Sequence, residues 1–357
     1  MKTYTKFLSL IFFKSFFYVS LIMLSLVFIL NILSELEFFK EIEVGTDYTL
    51  LLSLLNSPSM LFEMFPFIFL ISTQFFFIKL FENNQLEVFK YSGLRNTNIL
   101  AILSGLSLIV GILIVIIFYN FSANFKNFYL EKKSKYTNDG KYLAVITKNG
   151  LWIKDEIDEK IYIINSSEIK NNFLIDNFIT EFNNQYEIIR NIQSNRINIK
   201  ENKWLIHEAK VYNKNNYEIK KILEINSNFD LKRIQTLFSN LSSLNIFQLF
   251  ELKNNYKKIN YSVTAVNLQL LKIFTFPLYL LLITIFSALI MFRVKRLNST
   301  TFKISLGLFL SVIIYYINNF FLVMGSTEKI SLILAVFVPL IILSSINSSM
   351  AYKINEK

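Results

Sequence analysis

The chain has 357 residues, 53% of them hydrophobic, with 37 Phe and a formal charge of +11. Soluble domains are about 45–50% apolar and rarely hold unbroken apolar runs of ~20 residues. This chain holds several, which excludes an ordinary soluble protein. With no Cys and a single His, a disulfide framework, a thiolate or multi-histidine metal site and a histidine proton relay are excluded as well.

Residues 8–33 form the first apolar run, interrupted by Lys14. A secretory signal has a basic start and an apolar middle too, but its apolar core is only ~7–15 residues and a small-residue cleavage pattern follows it. A membrane span is therefore expected, with Lys14 snorkelling back to the basic end. Residues 34–57 carry Glu35, Glu37, Glu41, Glu43 and Asp47 against Lys40 alone. A second span is expected over 58–78, starting at Pro58 and kinked at Pro66. Within it, Glu63 is an ionisable residue about two turns from the outer end, facing either a cavity or headgroup water.

After this span comes a polar turn and a short amphipathic piece, 79–98, before a third span over 99–120. Leu86, Phe89 and Gly93 share one face at helical spacing, and Glu82, Gln85, Glu87 and Lys90 supply the polar remainder. An interfacial helix between two spans reads this way. So does a coupling helix that docks an apolar knob into a cytoplasmic partner, and the second reading is the sharper one.

Between 121 and 267 the chain is polar and reads as β structure. Runs at 142–149, 151–156, 160–169, 172–182, 186–192, 196–213 and 217–225 are rich in Ile, Tyr, Val and Phe and broken by Asn, Asp, Ser, Lys or Gly. Several alternate as half-buried strands do. Seven to nine strands without helices suggest a sandwich or jellyroll. His207 falls in such a strand, as a surface or sheet-packing residue. Over 231–258 apolar residues at three and four spacing point to a helical or turn-rich segment. Three more spans are expected at 270–292, 303–324 and 330–350. Lys272, before Pro277, would anchor its helix at headgroup level or hold a lipid phosphate.

Six spans put both termini on one side. Lys2, Lys6, Lys14, Lys79, Lys90, Arg95, Arg293, Lys295, Arg296, Lys303, Lys353 and Lys357 all fall on that side, while the opposite short loops hold only Lys40 and Lys329. The termini are therefore expected in the cytoplasm and 121–268 outside, since long domains translocate regardless of charge. The expected fold is an α-helical membrane protein of six transmembrane helices with an all-β, jellyroll-like external domain. Its parts are 1–120 with the hairpin 79–98, then 121–268, then 269–357. No nucleotide loop is present, so the chain is not expected to hydrolyse nucleotide itself; no enzyme activity, no cofactor and no nucleic-acid partner are expected.

Four strings match a known family. They are Tyr48 through Pro58 with Pro66 beyond; Asn83 through Gly93; Asn149-Gly-Leu-Trp-Ile-Lys-Asp155; and Lys203-Trp-Leu-Ile. Together with the topology they resemble the lipopolysaccharide export permeases, the LptF/LptG type, across nearly the whole chain, and the third string leans towards LptG. The resemblance implies an inner-membrane permease that extracts lipopolysaccharide. It further implies a cytoplasmic ATPase dimer, a second homologous permease and a periplasmic β-jellyroll bridging protein as partners. On that reading Leu86, Glu87, Phe89 and Gly93 dock the ATPase, Lys40, Glu63 and Lys272 contact lipid, and spans one and four face the second permease. Two departures stand out. Gln85 replaces the family's usual Glu, with the acid displaced to Glu87, and the outer end of span one is acidic where the family is often basic. Another ABC permease with a large external domain is the alternative within transport, though the lipoprotein exporters place that domain after the first of four spans. A non-transporting scaffold or sensor is the alternative from another class, and an intramembrane enzyme is disfavoured because the spans lack clustered acid, His or Ser/Lys pairs.

Overall fold

The computed structural model describes residues 3–40, 44–136, 151–157, 160–170, 172–213, 216–231, 234, 240–258, 262–294 and 299–352. The expected strand at 142–149, Gly150, and the basic residues Lys2, Lys295, Arg296, Lys353 and Lys357 lie outside them. The chain divides into two units, Met1–Lys126 with Thr264–Lys357, and Asn127–Val263.

The first unit is helical because its apolar runs leave the backbone no water to bond, so each segment must satisfy its own amides. Its helices are α1 (Thr3–Phe38), α2 (Thr46–Glu82), α3 (Gln85–Tyr91) and α4 (Asn96–Leu113). A π-helical stretch, Ile114–Tyr119, joins α4 to α5 (Asn120–Ser134). Beyond the sheet come α6 (Ile246–Lys258, in the second unit), α7 (Thr264–Arg293), α8 (Thr300–Ser326) and α9 (Leu332–Ala351). Among the described residues six helices are long and apolar enough to cross a membrane. At roughly 1.5 Å per residue, the 36 residues of α1 reach about 54 Å, well beyond a ~30 Å hydrocarbon core. Pro58 does not start its helix. α2 begins at Thr46 and carries both Pro58 and Pro66 inside it, and Glu63 therefore sits near the middle of the helix.

Phenylalanine makes the α1–α2 seam. Phe16 stacks on Phe65 at 6.4 Å and meets Phe69 edge-on at 5.2 Å, and Phe12 touches Phe76 at 6.5 Å. Because lipid is as apolar as these rings, burial alone does not hold the helices together, and close packing with a few polar bonds must do so. The bonds are present. Asn31 Nδ2 donates to Ser57 Oγ at 3.1 Å, and Asn56 Nδ2 donates to Asn31 Oδ1 at 3.0 Å. Ser287 Oγ of α7 donates to Leu70 O of α2, and Asn347 Nδ2 of α9 to Leu282 O of α7, each at 2.9 Å. Gln74 Nε2 of α2 donates to Lys303 O of α8 at 2.9 Å. Gly307 leaves room for that carboxamide, since a Cβ there would overlap it.

In the second unit the described strands form one antiparallel sheet in the order β1-β2-β3-β4-β5-β6. They are Leu151–Ile157, Lys160–Lys170, Phe173–Phe182, Ile188–Asn198, Lys203–Asn213 and Asn216–Asn226. The single run expected at 196–213 is split by a turn between β4 and β5. Alternation is plain in β1, where Leu151, Ile153 and Asp155 are buried and Trp152 and Lys154 are not. It breaks at Asp176 and Glu208, whose φ values are 50° and 51°. The strand register runs unchanged through both positions, and Leu174 and Asn177, like Ile206 and Ala209, are buried on either side of them. The chain after β6 returns across the buried face. Trp204 Nε1 donates to Phe229 O at 2.6 Å. The Asp155 carboxylate on β1 accepts from Ser227 Oγ at 2.7 Å and from Asn228 N at 3.0 Å. His207 lies half-buried on β5 with its ring 6.3 Å from Phe173.

Glu181 is fully buried on β3 and is held by Lys160 Nζ at 2.8 Å and Arg190 Nε at 2.5 Å. Burial alone would raise its carboxyl, but the hydrogen bonds from Lys160 and Arg190, with their charges, hold it below the usual range. A carboxyl depressed in the fold contributes stability above its unfolded value, and that contribution is lost as pH falls through the folded one. Both Trp of the chain lie in this sheet, so intrinsic fluorescence follows its melting. The midpoint should drop as pH falls below about 4, the ordinary carboxylate value, and Glu181→Gln should flatten that drop. Identical pH profiles would remove Glu181 from the account.

Candidate functional site

Two places in the helical unit gather the residues singled out in the sequence. The first is a recess among α2, α7, α8 and α9. A cavity of about 80 Å³ is lined there by Glu63, Lys272, Thr275, Tyr315, Asn318 and Asn319, with Phe62, Pro66 and Leu340 among its apolar walls. Phe62 stacks on Phe276 at 4.6 Å and touches the buried Tyr119 at 5.0 Å, so the floor of the recess is aromatic. Glu63 is exposed and Lys272 half-buried. Lys126 of α5 lies within electrostatic reach of Glu63. Two residues that appeared singly in the sequence, Glu63 and Lys272, thus share one recess. Lys40 does not line it, being exposed in the turn after α1. Lys126, Asn318 and Asn319 were not singled out. An amide pair in an otherwise apolar span was their only signal, and Lys126 lies beyond the end assigned to the third span.

The second place is the hairpin. Asn84 enters it with φ 50° and Gly93 leaves it with φ 80°, a backbone that favours glycine. Leu86 is buried and Phe89 is half-buried, its ring 6.0 Å edge-on from Phe7 of α1. The helical spacing of these two residues is real, but the face they define packs on the chain itself. The exposed side carries Glu87, Lys90, Val88 at 58% and Tyr91 at 90% exposure. A groove of about 720 Å³ opens beside it, lined by Tyr4, Phe7, Val88, Phe89, Gly93 and Asn98 among others. Val88 and Tyr91 were missed because a seven-residue helix reveals its periodicity without revealing which side is covered.

The spans also differ in how far the rest of the unit covers them. The apolar core of α7 is 61% buried, against 22% for α1 and 11% for α8. Span four is packed inside the unit, held by α2, α4 and α9. The open flanks belong to spans one and five.

Six apolar helices and a separate β-sheet unit define a multi-pass membrane protein that carries a β domain. The lipopolysaccharide export system permease LptF/LptG family model matches residues 8–353, nearly the whole chain. The chain belongs to that family, and it is an inner-membrane permease component of lipopolysaccharide export. The match does not separate the LptF from the LptG branch. No curated protein matches the chain.

Proposed function

We propose that this chain is one permease subunit of an exporter that takes lipopolysaccharide from the inner membrane and passes it to a β-jellyroll bridge. A separate cytoplasmic ATPase dimer supplies the work. The observation that carries the reading is the family match over 8–353, joined to a hairpin that presents an apolar side chain and a groove between two spans. In this account both termini and the hairpin face the cytoplasm, and the sheet is periplasmic and jellyroll-like in role. Leu86 and Phe89 brace the hairpin, Gly93 shapes its exit, and Glu87 with Val88 and Tyr91 meets the ATPase. Lys40, Glu63 and Lys272 contact lipid. The string Gly150 through Asp155 favours the LptG type.

A second homologous permease would complete the cavity. The flanks of α1 and α8 are the surfaces left open for it, and span four gives way to span five in that role. Strand β6 pairs only with β5 among the described residues and exposes Tyr217, Ile219 and Ile222. An edge of that kind can continue its sheet into a bridging protein.

Photocrosslinkers placed along the spans test the reading. Lipid A adducts are expected from the open flanks of α1 and α8 and from the sheet, and adducts confined to the lipid-facing surface of α9 would contradict an enclosed cavity.

A further inference from the structure

The recess among α2, α7, α8 and α9 holds charges of both signs, Glu63 and Lys272. Glu63 lies near the middle of a membrane helix, exposed into the recess, and makes no ion pair within 4.0 Å among the described residues. A carboxylate within a membrane span normally faces water, a cation or a ligand. Lys272 lines the same recess, and Lys126 lies within electrostatic reach of Glu63. A site for a simple anion would use Lys272 and be opposed by Glu63, because like charges brought together in low dielectric repel strongly. A site for a simple cation would use Glu63 and be opposed by Lys272. A ligand carrying an anion and an ammonium a few ångströms apart satisfies both, and the amides of Asn318 and Asn319 supply neutral donors and acceptors between them.

Size narrows the class. A water needs roughly 10–15 Å³ of such space, so a cavity of about 80 Å³ admits a group of about half a dozen heavy atoms. That is the scale of an ethanolamine phosphate and well short of a sugar. The walls beyond, Phe62, Phe276, Leu322 and Leu340, are apolar, as suits the start of an acyl chain.

We propose that the recess is a site for a zwitterionic lipid headgroup, with Lys272 on its phosphate and Glu63 on its primary ammonium. This chemistry occurs in phosphatidylethanolamine and in a lipopolysaccharide decorated with ethanolamine phosphate. The inference deepens the reading of the chain as a lipid carrier by naming a headgroup that it recognises, but binding is tested without export.

The test uses the full chain, with whatever partners purify alongside it, in nanodiscs of equal phosphatidylethanolamine and phosphatidylglycerol. Lipids retained after extraction are counted by mass spectrometry. The native protein should retain phosphatidylethanolamine over phosphatidylglycerol by about tenfold, the worth of one charge-assisted pair. Glu63→Gln should bring the ratio close to one, and Lys272→Gln should lower retention of both lipids. Phosphatidylcholine provides a readout that needs no variant. Its three methyl groups remove the ammonium's donors and overfill the recess, so it should be retained no better than phosphatidylglycerol. Lipopolysaccharide with and without ethanolamine phosphate, added to the same discs, assigns the site to cargo if only the decorated form displaces the phospholipid, and to a resident lipid if neither does. Equal retention of all three phospholipids by the native protein, or a preference unchanged by Glu63→Gln, would overturn the proposal. Either result would leave the three charges as an internal network, without touching the export reading.

Discussion

Val88→Asp should strip the ATPase from the purified permease while leaving the helical unit intact. Leu86 is buried and Phe89 packs on Phe7, so both brace the hairpin from within. Val88 is 58% exposed beside the groove and Tyr91 is 90% exposed. A carboxylate at the centre of an apolar contact costs about 2–4 kcal/mol, or at least about thirtyfold in affinity. Because Val88 touches little of its own chain, its replacement should not lower the melting midpoint. Phe89→Asp should also lose the ATPase, but with damage to the hairpin, since it removes the ring that meets Phe7. The pair therefore separates docking from folding. ATPase co-purifying with Val88→Asp at native amounts would remove the exposed face from the coupling surface.

Gly307→Leu should loosen α8 from the bundle. The apolar core of that helix is only 11% buried, so each anchor counts. One anchor is the bond from Gln74 Nε2 to Lys303 O at 2.9 Å, reinforced by Lys303 Nζ lying 5.0 Å over the Phe81 ring. Any side chain at Gly307 enters the space of the Gln74 carboxamide. Overpacking of this kind costs about 1–3 kcal/mol, which corresponds to a fall of roughly 2–12 °C in the melting midpoint of a unit this size. Gln74→Ala should restore part of the loss in the Gly307→Leu background, because it vacates the contested space. A variant that melts with the native protein, or a pair of substitutions whose effects simply add, would show that the two side chains do not compete.

Much of this architecture is legible in the sequence because the bilayer enforces a simple code. Apolar runs long enough to span read as spans, and the alternation of β1 and the core position of Trp204 follow from period-two patterning. What was illegible has local causes. Much of the stretch before Pro58 looks like a loop, yet residues 46–57 belong to α2, because a proline removes only one backbone donor and the helix can carry on through it. The positive-φ positions Asp176 and Glu208 leave no hydrophobic signature, since both are ordinary polar residues. The recess was illegible for a different reason. Glu63, Lys272, Asn318 and Leu340 come from four helices scattered along the chain, and only packing brings them together. The hairpin shows the boundary between the two cases. Its periodicity identifies a helix with two faces, but which face is covered depends on Phe7, far away in sequence.

The central claim is that a hairpin on one side of the membrane receives work that delivers lipid to a sheet on the other. The chain has no Cys, so a single introduced thiol is a unique probe. Tyr91→Cys in the hairpin and Tyr217→Cys on β6 replace residues that are 90% and 64% exposed. With a membrane-impermeant maleimide on intact spheroplasts, Tyr217→Cys should label at once and Tyr91→Cys only after lysis. Labelling of Tyr91→Cys from outside, or protection of Tyr217→Cys until lysis, would contradict the account.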